Sequence, residues 1–259
     1  MDKQAHWKDV GERLDWIKPF TKVQNTSYDL QDFRIRWYED GTLNACQNCL
    51  DRHLEKRADK TAIIWEPDNP SQDSVKLTYR QLHDRVCKVA SGLEKLGVRK
   101  GDTVTIYMPM IPEVVIAMLA CVRIGAVHSV VFGGFSAESL AHRIEDCGSK
   151  VLIAADVGMR GGKEIPLKQT VDEALEMAPV ETVIVHQYSG DKPMQAGRDV
   201  WFHDVEASGV TDHQPVEVGA EDSMFVLYTS GSTGKPKGMV HTCGGYMVYT
   251  AYTFKNVFQ

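Results

Sequence analysis

The sequence lacks the long apolar segment that a membrane-spanning helix needs. Its longest apolar run covers residues 114–122, whereas a helix requires ~20 mainly apolar residues to cross a bilayer. The residues that follow Met1 are charged or polar and contain no apolar core of the kind that a secretory signal needs. We therefore expect a cytoplasmic protein without membrane contact, whose six cysteines are reduced thiols.

An excess of positive charge is also missing. Lys and Arg together number 29 against 35 Asp and Glu, which gives a formal net charge of −6. A nucleic-acid-binding surface needs a basic face, so we expect no nucleic-acid partner. With 43% hydrophobic and 25% charged residues among 259, the composition is that of a globular chain large enough to bury a substantial core.

A second pair of metal ligands is missing near the C-x-x-C motif. Cys46 and Cys49 form this motif and His53 lies one turn further along, but a zinc site needs two such ligand pairs. The other four cysteines are scattered singly: Cys87, Cys121, Cys147 and Cys243. Residues 43, 46, 50 and 54 share one face of a predicted helix, so Cys46 is interpreted as a core residue and no metal site is expected.

The chain also lacks a recognisable nucleophile–base–acid set. Ser230 and Ser232 have no identifiable histidine partner, and the G-x-S-x-G motif is absent. His128 lies within an apolar strand-like run and is interpreted as a core histidine rather than a catalyst. We therefore identify no catalytic residue, which is compatible with chemistry driven by positioning and charge neutralisation.

Apolar strand-like runs alternate with helical patterns along most of the chain. Predicted strands cover residues 61–65, 75–77, 103–107, 126–132, 150–155, 182–186 and 224–228; predicted helices cover residues 43–56, 78–96, 112–124, 137–147, 166–177 and the chain from 245 onward. Residues 1–40 are predicted to form an extended or short-helical arm on the main body, and residues 193–222 to be mostly irregular with at most one short helical turn. The alternation predicts an α/β fold: β-α-β units forming a largely parallel sheet with helices on both faces.

A hydroxyl-rich, glycine-punctuated and basic loop follows the last predicted strand. It covers residues 229–238, and such loops hold phosphates because hydroxyls and free N–H groups donate to the anion while lysines balance its charge. It is not a Walker A loop, since Pro236 follows Gly234 and Lys235 and no glycine occupies position 229. The alternative is a polar surface turn with solvated lysines. We expect the loop to lead from the strand into a helix.

Two further glycine-containing loops follow predicted strands. One covers residues 132–134 and the other residues 160–163, where Arg160 and Lys163 flank two glycines. A guanidinium and an ammonium on such a loop make a compact phosphate site. The residues alone favour the other interpretation, a solvated basic turn and a tight strand-to-helix turn. Because ligand loops lie beyond the carboxyl ends of parallel strands, all three loops are expected on one side of the sheet.

The loop at residues 229–238 resembles the signature phosphate loop of the acyl-adenylate-forming enzymes. Four other motifs, at residues 37–44, 48–53, 132–136 and 160–163, resemble the acetyl-coenzyme A synthetase branch of that family. The resemblance runs from about residue 37 to the last residue. It implies the large N-terminal domain of an adenylate-forming ligase that converts ATP, acetate and coenzyme A to acetyl-coenzyme A, AMP and pyrophosphate through acetyl-adenylate, with propionate as the alternative acid.

The resemblance also implies which residues meet each substrate. The ATP phosphates, with Mg²⁺, would lie against Thr229, Ser230, Gly231, Ser232, Thr233, Gly234 and Lys235. Coenzyme A would lie against Phe132, Gly133, Gly134, Arg160, Gly161, Gly162, Lys163 and Ile165, with Arg160 and Lys163 on its 3′-phosphate and the first three residues on its adenine. Small molecules are thus the expected partners.

The resemblance further implies that the chain is incomplete. Members of the family place the acyl pocket and a C-terminal domain with the adenylation lysine downstream, so we expect this chain to be an N-terminal part that is inactive alone. A catalytically inactive nucleotide- or coenzyme A-binding fragment is the alternative. Residues 1–75 are predicted as an arm with the first helix and strand, residues 76–210 as the subdomain with the coenzyme A loops, and residues 211–259 as the start of the next subdomain with the phosphate loop.

Overall fold

The computed structural model describes residues 2–189, 193–229 and 236–258. The helices are α1 (Lys3–Gly11), a π-helical turn (Gln47–Asp51), α2 (Arg52–Arg57), α3 (Tyr79–Lys95), α4 (Pro112–Arg123), α5 (Ala137–Cys147), α6 (Leu167–Met177), α7 (Phe202–Ser208) and α8 (Cys243–Val257). Within the described residues, no helix has both the length and the apolar character needed to cross a bilayer.

Sixteen described strands accompany these helices. They are β1 (Trp16–Lys18), β2 (Gln24–Ser27), β3 (Arg34–Trp37), β4 (Thr42–Leu43), β5 (Thr61–Trp65), β6 (Val75–Thr78), β7 (Thr103–Met108), β8 (Val127–Phe132), β9 (Val151–Ala155), β10 (Gly158–Arg160), β11 (Lys163–Ile165), β12 (Thr182–His186), β13 (Asp199–Trp201), β14 (Val218–Gly219), β15 (Ser223–Thr229) and β16 (Lys237–Thr242).

One seven-stranded sheet organises the chain. Its strand order is β13-β12-β9-β7-β8-β15-β16, and every neighbouring pair is parallel except β15 with β16. Smaller antiparallel pairings flank it: β1-β4-β14, β2-β3, β5-β6 and β10-β11. The predicted α/β fold with a largely parallel sheet is confirmed.

Side chains of the central strands alternate between two apolar cores. Val104 and Ile106 of β7 belong to one core, which also contains apolar residues of α3 and α4. Tyr107 of the same strand belongs to the other, together with residues of α5 and α6. Because successive strand residues point to opposite faces, this alternation shows that the sheet is buried on both sides.

Local signals in the sequence predicted many of these boundaries. Strands β5 and β12 have the predicted bounds. Helix α3 begins with the predicted capping box, in which the Thr78 side chain accepts from the Gln81 N–H and Gln81 caps the Thr78 N–H in return. Gly148 adopts the left-handed conformation after α5, as expected of a glycine that ends a helix.

The helix predicted over residues 43–56 begins later. Leu43 lies in β4 instead, paired with β1 and β14. The Asn44 side chain causes the change of structure, because its Oδ1 accepts from the backbone N–H groups of Cys46 and Gln47 at 2.9 and 3.2 Å and so caps the helical segment behind it. The predicted core role of Cys46 is confirmed, since its side chain is fully buried.

Two further predictions were wrong in part. Residues 193–222 contain a short helix, α7, which buries Phe202 and Val205, and also the strand β13 at the sheet edge, which was not predicted; a strand of three residues is too short to show a periodic pattern. The phosphate-loop segment does not lead from a strand into a helix, because the element after it is β16, which pairs antiparallel with β15. The helix α8 follows only after β16.

A partly buried ion cluster joins the 48–53 motif to α3 and α4. Asp51 accepts two hydrogen bonds from the Arg123 guanidinium, at 2.8 and 2.9 Å, and its Oδ1 lies 3.4 Å from Nε2 of His83. The hydrogen bond to Asp51, aided by Cys87 and Asp84, raises the pKa of His83 to about 10. The 48–53 motif thus contributes to the packing of α3 and α4.

We expect His83 to make the stability of the protein pH-dependent. Its folded-state pKa of about 10 lies above the ordinary histidine value of about 6.5, so its contribution is full below about pH 6.5, declines as the pH rises and vanishes as the pH passes the folded pKa. The difference in melting temperature between the wild type and His83→Gln should therefore shrink from pH 6 to pH 10. The exposed His203→Gln is the control, and a difference that is constant with pH would contradict the assignment.

Candidate functional site

The carboxyl ends of neighbouring parallel strands meet at a large cavity in the described part of the chain. Strands β7 and β8 end there at Met108 and Phe132, and the cavity has a volume of about 590 Å³. It is lined by Trp65, Glu66, Asp68, Met108, Pro109, Met110, Ile111, Val114, Val130, Val131, Phe132, Gly133, Gly158, Met159, Arg160, Ile165 and Tyr188. A mainly apolar wall with a few charged groups is typical of a small-molecule site.

Phe132 and Arg160 lie next to each other in the wall of this cavity. The residue Phe132 is 57% exposed, and the Arg160 guanidinium carbon lies 5.8 Å from the centroid of its ring, within the range of a cation–π contact. Neither Arg160 nor Lys163 forms an ion pair with another residue of the described ranges. An apolar aromatic face and unpaired cations therefore lie side by side, an arrangement suited to a ring that carries an anion.

The residues 160–163 form the tip of a hairpin, which the sequence did not indicate. Strands β10 and β11 pair antiparallel, with Arg160 opposite Lys163. The two central residues have positive φ angles, 58° at Gly161 and 74° at Gly162, as a tight two-residue hairpin turn requires. A Cβ atom at either glycine would meet nothing within 4 Å, so backbone conformation is the reason for glycine here. The hairpin places both cations on one short turn.

The two glycines after β8 have a different role. A Cβ atom on Gly133 would lie 3.2 Å from the backbone oxygen of Met108, and one on Gly134 would lie 2.8 Å from the Phe132 ring. Because neither glycine has a side chain, the backbone can pass close to the end of β7 and the Phe132 ring can lie over Gly134. The turn continues to Phe135, whose carbonyl accepts from the Tyr107 hydroxyl at 2.8 Å.

Most of the residues predicted to contact coenzyme A come together here. Phe132, Gly133, Arg160 and Ile165 line the large cavity. Gly161 and Gly162 line an adjoining cavity of about 540 Å³, which shares Asp68, Met159 and Tyr188 with the first. The two remaining members of the predicted set, Gly134 and Lys163, line neither cavity.

Sequence reasoning missed the far wall of the cavity. Trp65 ends β5, and its Nε1 donates to the carbonyl of Met110 at 2.7 Å. Tyr188 is held by Asp156, whose fully buried carboxylate accepts from the N–H groups of Val157, Tyr188 and Ser189 at 2.7, 2.7 and 3.1 Å. No local pattern in the sequence indicates these contacts, because they join segments that are distant along the chain.

The predicted ATP-phosphate residues lie at the end of β15. Thr229 is exposed and is the last residue of β15, opposite Lys237 of β16. The rest of the predicted set lies outside the described residues: Ser230, Gly231, Ser232, Thr233, Gly234 and Lys235. Of the predicted phosphate site, the structure therefore describes only Thr229 at the end of β15. The next described strand is β16, which pairs antiparallel with β15.

Tyr228 fixes the end of this strand to α5. Its hydroxyl donates to Asp146 at 2.6 Å and lies 3.2 Å from the Cys147 sulfur, and the Arg143 guanidinium carbon is 5.0 Å from the ring centroid. Burial, with Asp146 and Cys147 nearby, raises the pKa of Tyr228, which is therefore a neutral donor. Gly238 leaves space for this ring, since a Cβ atom there would lie 3.2 Å from it.

The described residues contain no group of three or more His, Cys, Asp or Glu side chains that could hold a metal ion. Mg²⁺ commonly binds through one or two carboxylates together with substrate phosphates and water.

Two family models match the chain. Residues 50–259 match the model of the AMP-binding enzymes, and residues 1–49 match the model described as the acetyl-coenzyme A synthetase N-terminus. The first match includes the sheet, the large cavity and the strand end at Thr229.

Similar proteins extend the comparison over the whole chain. The acetyl-coenzyme A synthetase of Xylella fastidiosa is 56% identical over 260 residues, which cover 99% of this chain and 40% of that protein. That of Parvibaculum lavamentivorans is 58% identical over 260 residues, which cover 100% and 40%. The acetoacetyl-CoA synthetase from Streptomyces lividans has a similar structure, with a TM-score of 0.87 and 28% identity over 97% of this chain and 38% of that one. The chain thus spans about 40% of the length of the curated relatives it matches.

Proposed function

This chain belongs to the AMP-binding enzyme family, and from that membership we propose that it is the N-terminal portion of an AMP-forming acetate–coenzyme A ligase. The observation that carries the proposal is the cavity at the carboxyl ends of β7 and β8, where an exposed aromatic ring and the unpaired Arg160 lie together. The similarity to acetyl-coenzyme A synthetases over the whole chain supports acetate as the acid.

Coenzyme A would bind with its adenine at this cavity. Phe132, Gly133, Gly134 and Ile165 would contact the ring, and the turn at residues 160–163 would hold the 3′-phosphate. Charge supports this orientation, because a phosphate is best held by cations that have no competing carboxylate. Gly134 and Lys163 line neither cavity, and a structure with bound coenzyme A would test whether they contact it.

ATP would bind through the loop that begins at Thr229. The hydroxyls and lysines of residues 229–235 would contact the β- and γ-phosphates while the carboxylate of acetate attacks the α-phosphate. Mg²⁺, bound with the nucleotide, would neutralise phosphate charge. No catalytic acid or base is assigned, since such a reaction depends on positioning and electrostatic stabilisation. The division into residues 1–75, 76–210 and 211–259 and the cytoplasmic location remain predictions, the latter supported by six free thiols.

The test uses the parent protein, by which we mean the product of the complete open reading frame that contains this chain. Acetyl-coenzyme A and AMP are measured with ATP, Mg²⁺, coenzyme A and either acetate or propionate, and the 259-residue chain is assayed beside it. We expect turnover by the parent with a higher kcat/KM for acetate, and none by the chain. A higher kcat/KM for propionate would favour the propionate ligase, and no turnover of either acid by the parent would favour a non-catalytic nucleotide- or coenzyme A-binding protein.

We expect Arg160→Ala in the parent protein to weaken the binding of coenzyme A selectively. A charge-assisted contact to one phosphate contributes about 1.5–3 kcal/mol, so the KM for coenzyme A should rise by about tenfold or more. The KM for dephospho-coenzyme A and the rate of adenylate formation should change little. Arg57→Ala, at an exposed position of α2, is the matched control. Equal effects on both thiols would mean that Arg160 does not contact the 3′-phosphate.

A further inference from the structure

An acidic side chain from a distant loop holds the hairpin that carries Arg160 and Lys163. Asp68 follows β5, and its Oδ1 accepts from the Gly161 N–H at 2.8 Å while its Oδ2 accepts from the Gly162 N–H at 2.7 Å. Both carboxylate oxygens are thus used on one turn, 93 and 94 residues further along the chain. Asp68 also lines both cavities, so it lies where they meet.

The contact depends on the ionised form of Asp68. The two backbone hydrogen bonds lower the pKa of this exposed carboxyl group, because they stabilise its charged form. An ionised carboxylate offers acceptors only, and each of its oxygens can take one N–H group. An asparagine side chain at this position would offer one acceptor, and its amide group would face the second N–H as a donor.

The arrangement leaves the cations free for an external anion. Asp68 is committed to the backbone of the turn and forms no ion pair with Arg160 or Lys163 in the described structure. At the same time it occupies the N–H groups of Gly161 and Gly162, which could otherwise bind an anion themselves. A phosphate at this turn would therefore be contacted by the Arg160 and Lys163 side chains rather than by the turn backbone.

We propose that Asp68 is a positioning residue for the 3′-phosphate of coenzyme A: it fixes the turn so that Arg160 and Lys163 present unpaired charges to that phosphate. This inference rests on the proposed coenzyme A site. In this proposal Asp68 does not contact the phosphate itself, because its carboxylate accepts from the two glycine N–H groups. It affects coenzyme A binding only through the geometry of the hairpin.

The test compares Asp68→Asn with Asp73→Asn in the parent protein. Both changes remove one negative charge from the loop between β5 and β6, and Asp73 has no recorded hydrogen bond or ion pair within the described residues. With Asp68→Asn we expect the KM for coenzyme A to rise about tenfold, with kcat and the KM for dephospho-coenzyme A nearly unchanged. With Asp73→Asn we expect no change in any of these.

Two further measurements separate positioning from other roles. Amide hydrogen exchange over residues 158–165 should become faster in Asp68→Asn without ligand, and remain unchanged in Asp73→Asn. In an Arg160→Ala background, Asp68→Asn should raise the KM for coenzyme A by much less than in the wild type, because both changes act on one contact.

Several results would overturn the proposal. A lower KM for coenzyme A in Asp68→Asn would mean that the carboxylate competes with the phosphate for the turn. Equal rises for both thiols would indicate a general distortion of the cavity, and unchanged hydrogen exchange would show that Asp68 does not hold the hairpin. If wild-type parent protein does not use coenzyme A at all, the proposed function itself has failed, which is seen before any variant is made.

Discussion

Replacement of Lys235 by alanine in the parent protein is expected to slow acetate-dependent ATP–pyrophosphate exchange by about 10²–10³-fold. Loss of one preorganised group that stabilises transition-state charge commonly has an effect of about this size. Lys235 lies in a segment of hydroxyls and glycines that follows the strand end at Thr229, and its ammonium group is proposed to neutralise phosphate charge. Exchange is the appropriate measurement because it reports adenylate formation without the thiol step.

Fold stability should be nearly unchanged by this substitution. Lys56→Ala, at an exposed position of α2, is the control, and both variants should melt close to the wild type. Gly234→Leu should also slow exchange, since its side chain would block close approach of the backbone to a phosphate. If both loop variants catalysed exchange at the wild-type rate, the loop would have no role in adenylate formation, and this part of the proposed mechanism would be wrong.

Asp51→Asn is expected to destabilise the fold by about 3–5 kcal/mol, the usual effect of removing one partner from a buried ion pair. The Arg123 side chain is only 1% exposed, and burial alone would lower its pKa; hydrogen bonds with Asp51 offset this and raise the pKa. Without the carboxylate, the buried guanidinium loses its anionic partner and His83 loses one of two, because Asp84 still lies 3.3 Å from its Nδ1. Thermal and urea denaturation would show the loss directly.

A second substitution checks the cause. Arg123→Met, added to Asp51→Asn, should recover part of the stability, because it removes the buried charge that the first change leaves unpaired. Asp59→Asn, at an exposed position after α2, should have little effect. A loss of stability in Asp51→Asn that Arg123→Met makes larger would show that packing, rather than charge, determines the effect.

Features that depend on neighbouring residues could be predicted from the sequence. The capping box at Thr78 and the helix end at Gly148 are formed by contacts within one or two turns, and β12 is a continuous apolar run between polar residues. The fold class could be predicted from the alternation of strand-like and helical segments. Elements of two or three residues, such as β10 and β11, are too short to show any period, and β16 mixes apolar and polar residues without alternation.

The candidate site was predictable only in part for the same reason. The glycine-containing loops after β8 and at residues 160–163 are visible as motifs, and a family resemblance gave their expected ligand. The wall formed by Trp65 and Tyr188, and the hydrogen bonds that the Gly161 and Gly162 N–H groups donate to Asp68, join segments that are far apart along the chain. Their proximity is a consequence of tertiary packing, which no local pattern encodes.

The product balance of the parent protein tests the central claim most directly. ATP, Mg²⁺, acetate and coenzyme A are incubated with it, and acetyl-coenzyme A, AMP, pyrophosphate, ADP and phosphate are each quantified. An AMP-forming acetate–coenzyme A ligase gives one acetyl-coenzyme A, one AMP and one pyrophosphate for each acetate consumed. Formation of ADP and phosphate with the thioester, or AMP release that does not depend on acetate, would contradict it.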